Sequence, residues 1–448
     1  MEAIAYLAPV YLLLFVFWGL KNIKYYLLFT GIMAMPFRTT YTVLDVGGYV
    51  GWTNGINIAL SDISFIALFV YLVIHRKELR GTPSSVVVPV LCFIGACLPS
   101  FINSNWLRIS FYEVLLITQT AFLYYFVFTY VVETEKDLKT VVLFLILSLL
   151  FQSLFAITQY ATGWEMDVFR TGRMAEEIIP DEDMVARAVG TIGRPNSLAV
   201  YLVPLLFLTL SMLFFSPWYR RLSFVAVVAG SIALLLSGSR GGWIAFLFSF
   251  VILIVVMLRR RIITLRTVVG LWISGGLLVF AFLPYVMERV SAEGSTVAAL
   301  SRIPLLKVAW NMIVDHPLVG IGANTFMAQI HKYTTAFEFH YIWLGLVHNQ
   351  YLLIFAETGI IGLVAFLWLF RSFFRESYLS SRLDNQLSQV IGLSTALAFL
   401  SMAVHMMFDI YSSPLALSMM FIFCGLCSAA IKVGTTGAGR MRAVAYGR

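Results

Sequence analysis

Charged residues are scarce in this 448-residue chain. Asp, Glu, Lys and Arg make up 12% of it, against 60% hydrophobic residues, and mean hydropathy is +0.87. No water-soluble fold of this length hides that much apolar surface, so the protein is integral to a membrane. Period-two alternation is missing too. The apolar segments are continuous runs of spanning length, and in lipid each must satisfy its own backbone hydrogen bonds, which makes them helices. Cysteine is also rare: Cys92, Cys97, Cys424 and Cys427 all lie inside apolar runs. Cys424 and Cys427 have CxxC spacing, but no second ligand pair lies nearby, so all four read as small buried hydrophobes. The first apolar run, Ile4 to Leu20, lacks a basic stretch before it and a small-residue cleavage site after it. It is expected to be a retained span, not a signal peptide.

What remains is an all-α, polytopic transmembrane bundle of about 12–13 spans. They are expected near 3–20, 25–37, 57–74, 86–101, 110–132, 141–160, 197–215, 222–237, 241–258, 267–284, 346–370, 387–409 and 411–431. The chain then divides into N-terminal spans (1–160), a first large loop (161–196), central spans (197–284), a large loop with short helices (285–345), C-terminal spans (346–431) and a tail (432–448). Basic clusters fall between alternate spans: Lys21/Lys24, Arg76/Lys77/Arg80, Lys136/Lys139, Arg220/Arg221, Arg259 to Arg266, Arg371/Arg375/Arg382 and the C-terminus. One orientation puts all of them on the cytoplasmic side, as the positive-inside rule requires.

The exceptions carry the information. Eleven of the 31 Lys and Arg residues fall on the outer face, eight of them in the two large loops. Arg170, Arg173, Arg187 and Arg194 are in the first; Arg289, Arg302, Lys307 and Lys332 are in the second. Arg240 sits in the tight turn Ser237-Gly238-Ser239-Arg240-Gly241-Gly242 on the same face, too short to lift it clear of the headgroups. Cations placed against the topology rule suit an anion such as phosphate, with solvated loop charge as the plain alternative. The acidic run Asp181-Glu182-Asp183 lacks the spacing and glycine of a calcium loop and reads as a solvated turn.

The second outer loop has structure of its own. Ser301 is positioned to cap a helix running to about Asp315, with Leu306, Ala309, Trp310 and Ile313 on one face. A turn at Gly320-Ile321-Gly322 then leads to a short helix from about Asn324. His316, His331 and His340 fit no zinc spacing and read as surface residues. The loop closes on Val347-His348-Asn349-Gln350-Tyr351, where a histidine meets the start of an apolar run. Histidine titrates near neutral pH, so His348 is a candidate for proton transfer; a helix cap or a headgroup contact would use it equally well. Glu357 lies about two and a half turns further along, too far to touch it. His405 and Asp409, spaced i, i+4 at the outer end of a later span, form a candidate supporting pair for an outer-face site.

Three stretches together resemble the O-antigen ligase and O-antigen polymerase family of bacterial membrane glycosyltransferases. They are Gly190-Thr191-Ile192-Gly193-Arg194-Pro195-Asn196-Ser197-Leu198-Ala199, Leu236 to Gly242, and the block from Arg302 through His316 to Asn324 and on to Gly362. The resemblance covers about residues 187–410, and Arg194 departs from it, since asparagine is expected there in many relatives. It implies an inner-membrane enzyme with its active site facing the periplasm. A glycan would pass en bloc from undecaprenyl diphosphate to an acceptor hydroxyl, with inversion and without a metal or other cofactor. On that basis His348 is the general base, and Arg302 and Arg240 stabilise the diphosphate. Arg187, Arg194, Asn349 and Lys307 bind substrate, with His405 and Asp409 behind them. The partners implied are the lipid-linked donor, a lipid A–core or glycan acceptor and membrane lipid, with no nucleic acid. A ligase acting on lipid A–core is the first reading and a polymerase of the same family the alternative. A solute transporter is disfavoured by the few charges inside the spans and the lack of paired broken helices.

Overall fold

The structure is a computed structural model that describes residues 19, 21–37, 40–47, 53–75, 85–163, 187–259, 261–291, 302–334 and 345–446. It is an all-α bundle. The expected first span, the acidic run, Arg170, Arg173, the proposed cap Ser301 and His340 lie outside the described residues.

Among the described residues eight helices are long and apolar enough to cross a membrane, and four more apolar helices are shorter. In chain order the elements are α1 (Ile23–Ala34), strands β1 (Thr40–Val43) and β2 (Ile56–Ala59), α2 (Leu60–Ile74), α3 (Val87–Cys97) with a 3-10 turn (Leu98–Asn103), and α4 (Leu107–Val131). There follow α5 (Glu135–Thr162), α6 (Pro195–Phe215), α7 (Arg220–Leu236), α8 (Arg240–Arg259), α9 (Leu265–Ala281), α10 (Leu283–Ser291), α11 (Arg302–Asp315) and α12 (Phe326–Gln329). Last come α13 (Gln350–Ser380), α14 (Gln386–His405) and α15 (Pro414–Tyr446). The small antiparallel pair β1–β2 is not expected from the sequence. Its strands are four residues each, too short for alternation to show.

α14 lies at the centre, packed against α6, α8, α13 and α15. Small residues permit the close approaches. A Cβ on Gly242 of α8 would press on Ala199 of α6 at 2.7 Å, and one on Gly425 of α15 would press on Phe128 of α4 at 2.9 Å. Helices in lipid gain no hydrophobic energy from each other, so such contact is what holds them together.

The two ends of the bundle differ. At one, Lys24 bonds Asp137 at 2.7 Å, Lys139 lies over Trp218, Tyr219 donates to the Lys139 carbonyl and Gln386 reaches the Phe215 carbonyl. The expected clusters at Lys24, Lys139 and Arg220/Arg221 are thereby brought together at one end, while Arg76, Lys77 and Arg80 lie outside the described residues. The outer-face candidates gather at the other.

α13 departs most from expectation. Gly359 sits at φ 66°, ψ −170°, and breaks it into residues 350–358 and 360–380. The Tyr351 and Phe366 rings are 6.3 Å apart, whereas a straight helix would separate them by about 22 Å. The first segment is thus folded back on the second, and the single descending span expected from 346 to 370 is replaced by a bent pair. Residues 317–322 plug the break. Ile321 and Gly322 donate to the Ala356 and Glu357 carbonyls (both 3.0 Å), and Ile360 donates to the Pro317 carbonyl (2.9 Å). Irregular backbone beside membrane helices survives only when its polar groups are paired inside protein, and here they are. Asn103 donates to the Gly320 carbonyl, Ser110 to the Ala323 carbonyl and Gln329 to the Ile321 carbonyl, while Ala323 donates to Ser100. Glu357 accepts from the Phe326 amide at 3.1 Å, which caps α12. Glu357 is therefore a structural clasp, and it stays apart from His348 by helical rise, because both lie ahead of the break at Gly359.

Candidate functional site

His348 precedes the N-cap of α13. Asn349 makes the cap, accepting from the Leu352 amide at 3.0 Å while its own amide reaches the Met407 carbonyl at 3.3 Å. Gln350 ties this end of α13 to the segment after α14. Its amide donates to the Met406 carbonyl (2.8 Å), and its side chain accepts from the Tyr411 amide (2.7 Å) and donates to Ser412 (2.9 Å). The clamp sets His348 against Asp409: His348 Nδ1 lies 3.4 Å from Asp409 Oδ1. With Nδ1 facing the carboxylate, Nε2 is the ring atom left to face a substrate. The imidazole side chain is one-third exposed, whereas Asp409 is buried.

Asp409 also accepts from the Ile410 amide at 2.9 Å, and His405 Nε2 lies 3.9 Å from its second oxygen. Burial pushes this carboxyl toward its neutral form. The His348 hydrogen bond, the two imidazoles and the Ile410 amide outweigh that and hold its pKa below the usual value. The pair expected from i, i+4 spacing is present, although the helix itself ends at His405.

The cations come from two helix starts. Arg302 opens α11 and Arg240 opens α8. Burial lowers the Arg302 pKa most, Asp409 pulls it back up and Arg240 pushes it down again. The three groups therefore feel one another across the site, and Arg302 remains a cation. Arg240 is aimed by its turn. Gly238 takes φ +58°, Ser237 donates to the Leu234 carbonyl, and Ser239 accepts from the Gly242 amide to cap α8. The open carbonyls ending α7 are met by Ala188 and Tyr285 at Leu236 and by Arg187 at Ser237.

Arg187 Nε donates to the Ser237 carbonyl and its guanidinium also holds Asn196, each at 2.9 Å. It braces the turn that carries Arg240. Arg194 is the N-cap residue of α6 and is partly exposed. Lys307 is exposed on α11. On that helix Ala309 and Ile313 point inward with Leu305, Val308 and Met312, whereas Leu306 and Trp310 are exposed. The single apolar face expected is in fact two.

An open, largely apolar groove of about 600 Å³ begins at Asn349 and runs between α8, α13 and α14 past Phe248, Tyr351, Leu400 and Val404. Gln350 and Tyr411 do not stand out in the sequence. Gln350 lies inside the His348 stretch, but an amide in a polar loop gives no local sign of a partner 61 residues away.

A multi-pass helical protein with a histidine, a carboxylate and two arginines at one end of its bundle is the class defined here. Residues 224–367, from within α7 to within α13, match the O-antigen ligase family. That match supports the O-antigen ligase and polymerase family of membrane glycosyltransferases for this part of the chain. A comparison with curated proteins found no match.

Proposed function

We propose that the protein transfers a glycan en bloc from undecaprenyl diphosphate to an acceptor hydroxyl at the periplasmic face of the inner membrane, acting as a ligase on lipid A–core. The observation that carries the reading is the convergence of His348, Asp409, Arg302 and Arg240 at the end of the bundle opposite the basic clusters. His348 Nε2 takes the acceptor hydroxyl proton as that oxygen attacks the anomeric carbon. The bond from that carbon to the phosphate oxygen breaks, its electron pair stays on the lipid diphosphate, and the configuration inverts. Asp409 steadies the imidazolium that forms. Arg302 and Arg240 meet the charge developing on the diphosphate, a task that fixed cations perform without a metal ion. Arg194, Lys307 and Asn349 are the further candidates for holding the donor, and Arg187 acts through the Arg240 turn. The apolar groove beginning at Asn349 suits the polyprenyl chain of the donor.

Purified protein given undecaprenyl-diphosphate-linked glycan and EDTA is expected to form product only when lipid A–core is added. Ladders of lengthening lipid-linked glycan in its absence would instead assign the polymerase reaction. Arg302→Ala is expected to lower kcat about 10²–10³-fold, the cost of losing one preorganised charge partner in the transition state. Lysine at 302 should restore part of this, because it keeps the charge but not the fork of donors. Near-normal turnover in Arg302→Ala would remove the arginine from the mechanism.

A further inference from the structure

His405 is the most deeply buried titratable side chain near the site, at 1% exposure, and its ring is held at every edge. Nδ1 lies 3.1 Å from the Tyr411 hydroxyl. Gly241, the second residue of α8, leaves room for the other edge: a Cβ there would come within 3.1 Å of the ring carbon Cδ2 and 3.3 Å of Nε2. Nε2 itself has no hydrogen-bond partner and faces Asp409 Oδ2 at 3.9 Å. The tautomer follows from these contacts. Were Nδ1 to donate to Tyr411, Nε2 would turn a bare lone pair on a buried carboxylate. Tyr411 is fully buried, and burial together with Asp409 and Tyr351 holds its phenol well above the usual pKa, so it keeps a proton to give. Tyr411 thus donates to Nδ1, and Nε2 carries the hydrogen toward Asp409.

We infer that His405 is a positioning residue: its Nε2–H, oriented by Tyr411, holds Asp409 in the rotamer that aligns His348 for proton transfer. This rests on His348 being the base, as argued above. The 3.9 Å and 3.4 Å separations on the two sides of Asp409 are both longer than ideal hydrogen bonds. A shift of under about 1 Å closes both, and catalytic hydrogen bonds commonly tighten only with substrate bound. The charged and titratable groups facing Asp409 are His348 from just before α13, His405 from α14, Tyr411 from the following segment, Arg302 from α11 and, beyond it, Arg240 from α8.

The test is a set of replacements in the full chain, purified in lipid nanodiscs and assayed with the lipid-linked glycan and lipid A–core. Glutamine places an N–H near the position of Nε2; asparagine places its amide near Nδ1 and leaves the Asp409 side bare. His405→Phe and His405→Asn are expected to lose at least about 10-fold in kcat with KM unchanged. His405→Gln should recover most of that loss, and Tyr411→Phe should fall between. Equal damage from Gln, Asn and Phe, or a parallel fall in thermal stability, would mean a packing role and overturn the inference. Wild-type turnover in His405→Phe beside a dead His348→Ala would overturn it while leaving the base assignment standing. An active His348→Ala would remove both.

Discussion

His348→Ala is expected to lower turnover by about 10²–10⁴-fold, the range that a positioned general base contributes. The protein should still insert and melt like wild type. The side chain is one-third exposed and its ring hydrogen bond is a single 3.4 Å contact to Asp409, so truncation leaves neither a packed void nor a broken cap. Asn349 and Gln350, which fasten α13 to the segment after α14, are untouched by the change. The expected signature is therefore lost kcat at preserved KM and preserved thermal stability, measured on purified protein in nanodiscs. Turnover within about threefold of wild type would show that another group takes the acceptor proton.

Gly359→Ala should act in the opposite way, through the fold. Its φ of 66° with ψ near −170° is a backbone region open essentially to glycine alone, costing another residue about 1–3 kcal/mol. A Cβ there would also overlap the Leu318 carbonyl and the Val319 amide, which are backbone atoms unable to swing aside. Gly320 faces the same clasp from the other side, where a Cβ would overlap the Glu357 carbonyl. The two glycines let residues 317–322 enter the break in α13, and that entry joins the helix bearing Arg302 to the one preceded by His348. Loss of the clasp is expected to cost more than about 4 kcal/mol, beyond the usual range for a single substitution. A strongly lowered melting temperature, with activity falling in step, is the result to look for. Unchanged melting would mean that the clasp contributes nothing to the stability of the bundle.

Much of this architecture is legible in the amino-acid sequence by itself. Low charge and long apolar runs determine a helical membrane bundle, because lipid offers no partner to an unpaired backbone group. The clusters at Lys24, Lys139 and Arg220/Arg221 foretell helix ends that meet, since charge placement against the membrane is a one-dimensional property of the chain. The residues of the site are also legible as residue types: a histidine and two arginines at span ends, and a His–Asp pair one helical turn apart. Their mutual arrangement is not. Asp409 facing His348, Gln350 clamping Tyr411 and Arg187 spent on the Ser237 turn all join residues far apart in sequence, and no local pattern encodes the partner. The fold-back at Gly359 is hidden for a related reason. A glycine inside an apolar run reads as a tolerated helix residue, and only the inserted turn at 317–322 supplies the hydrogen bonds that favour breaking the helix there over continuing it.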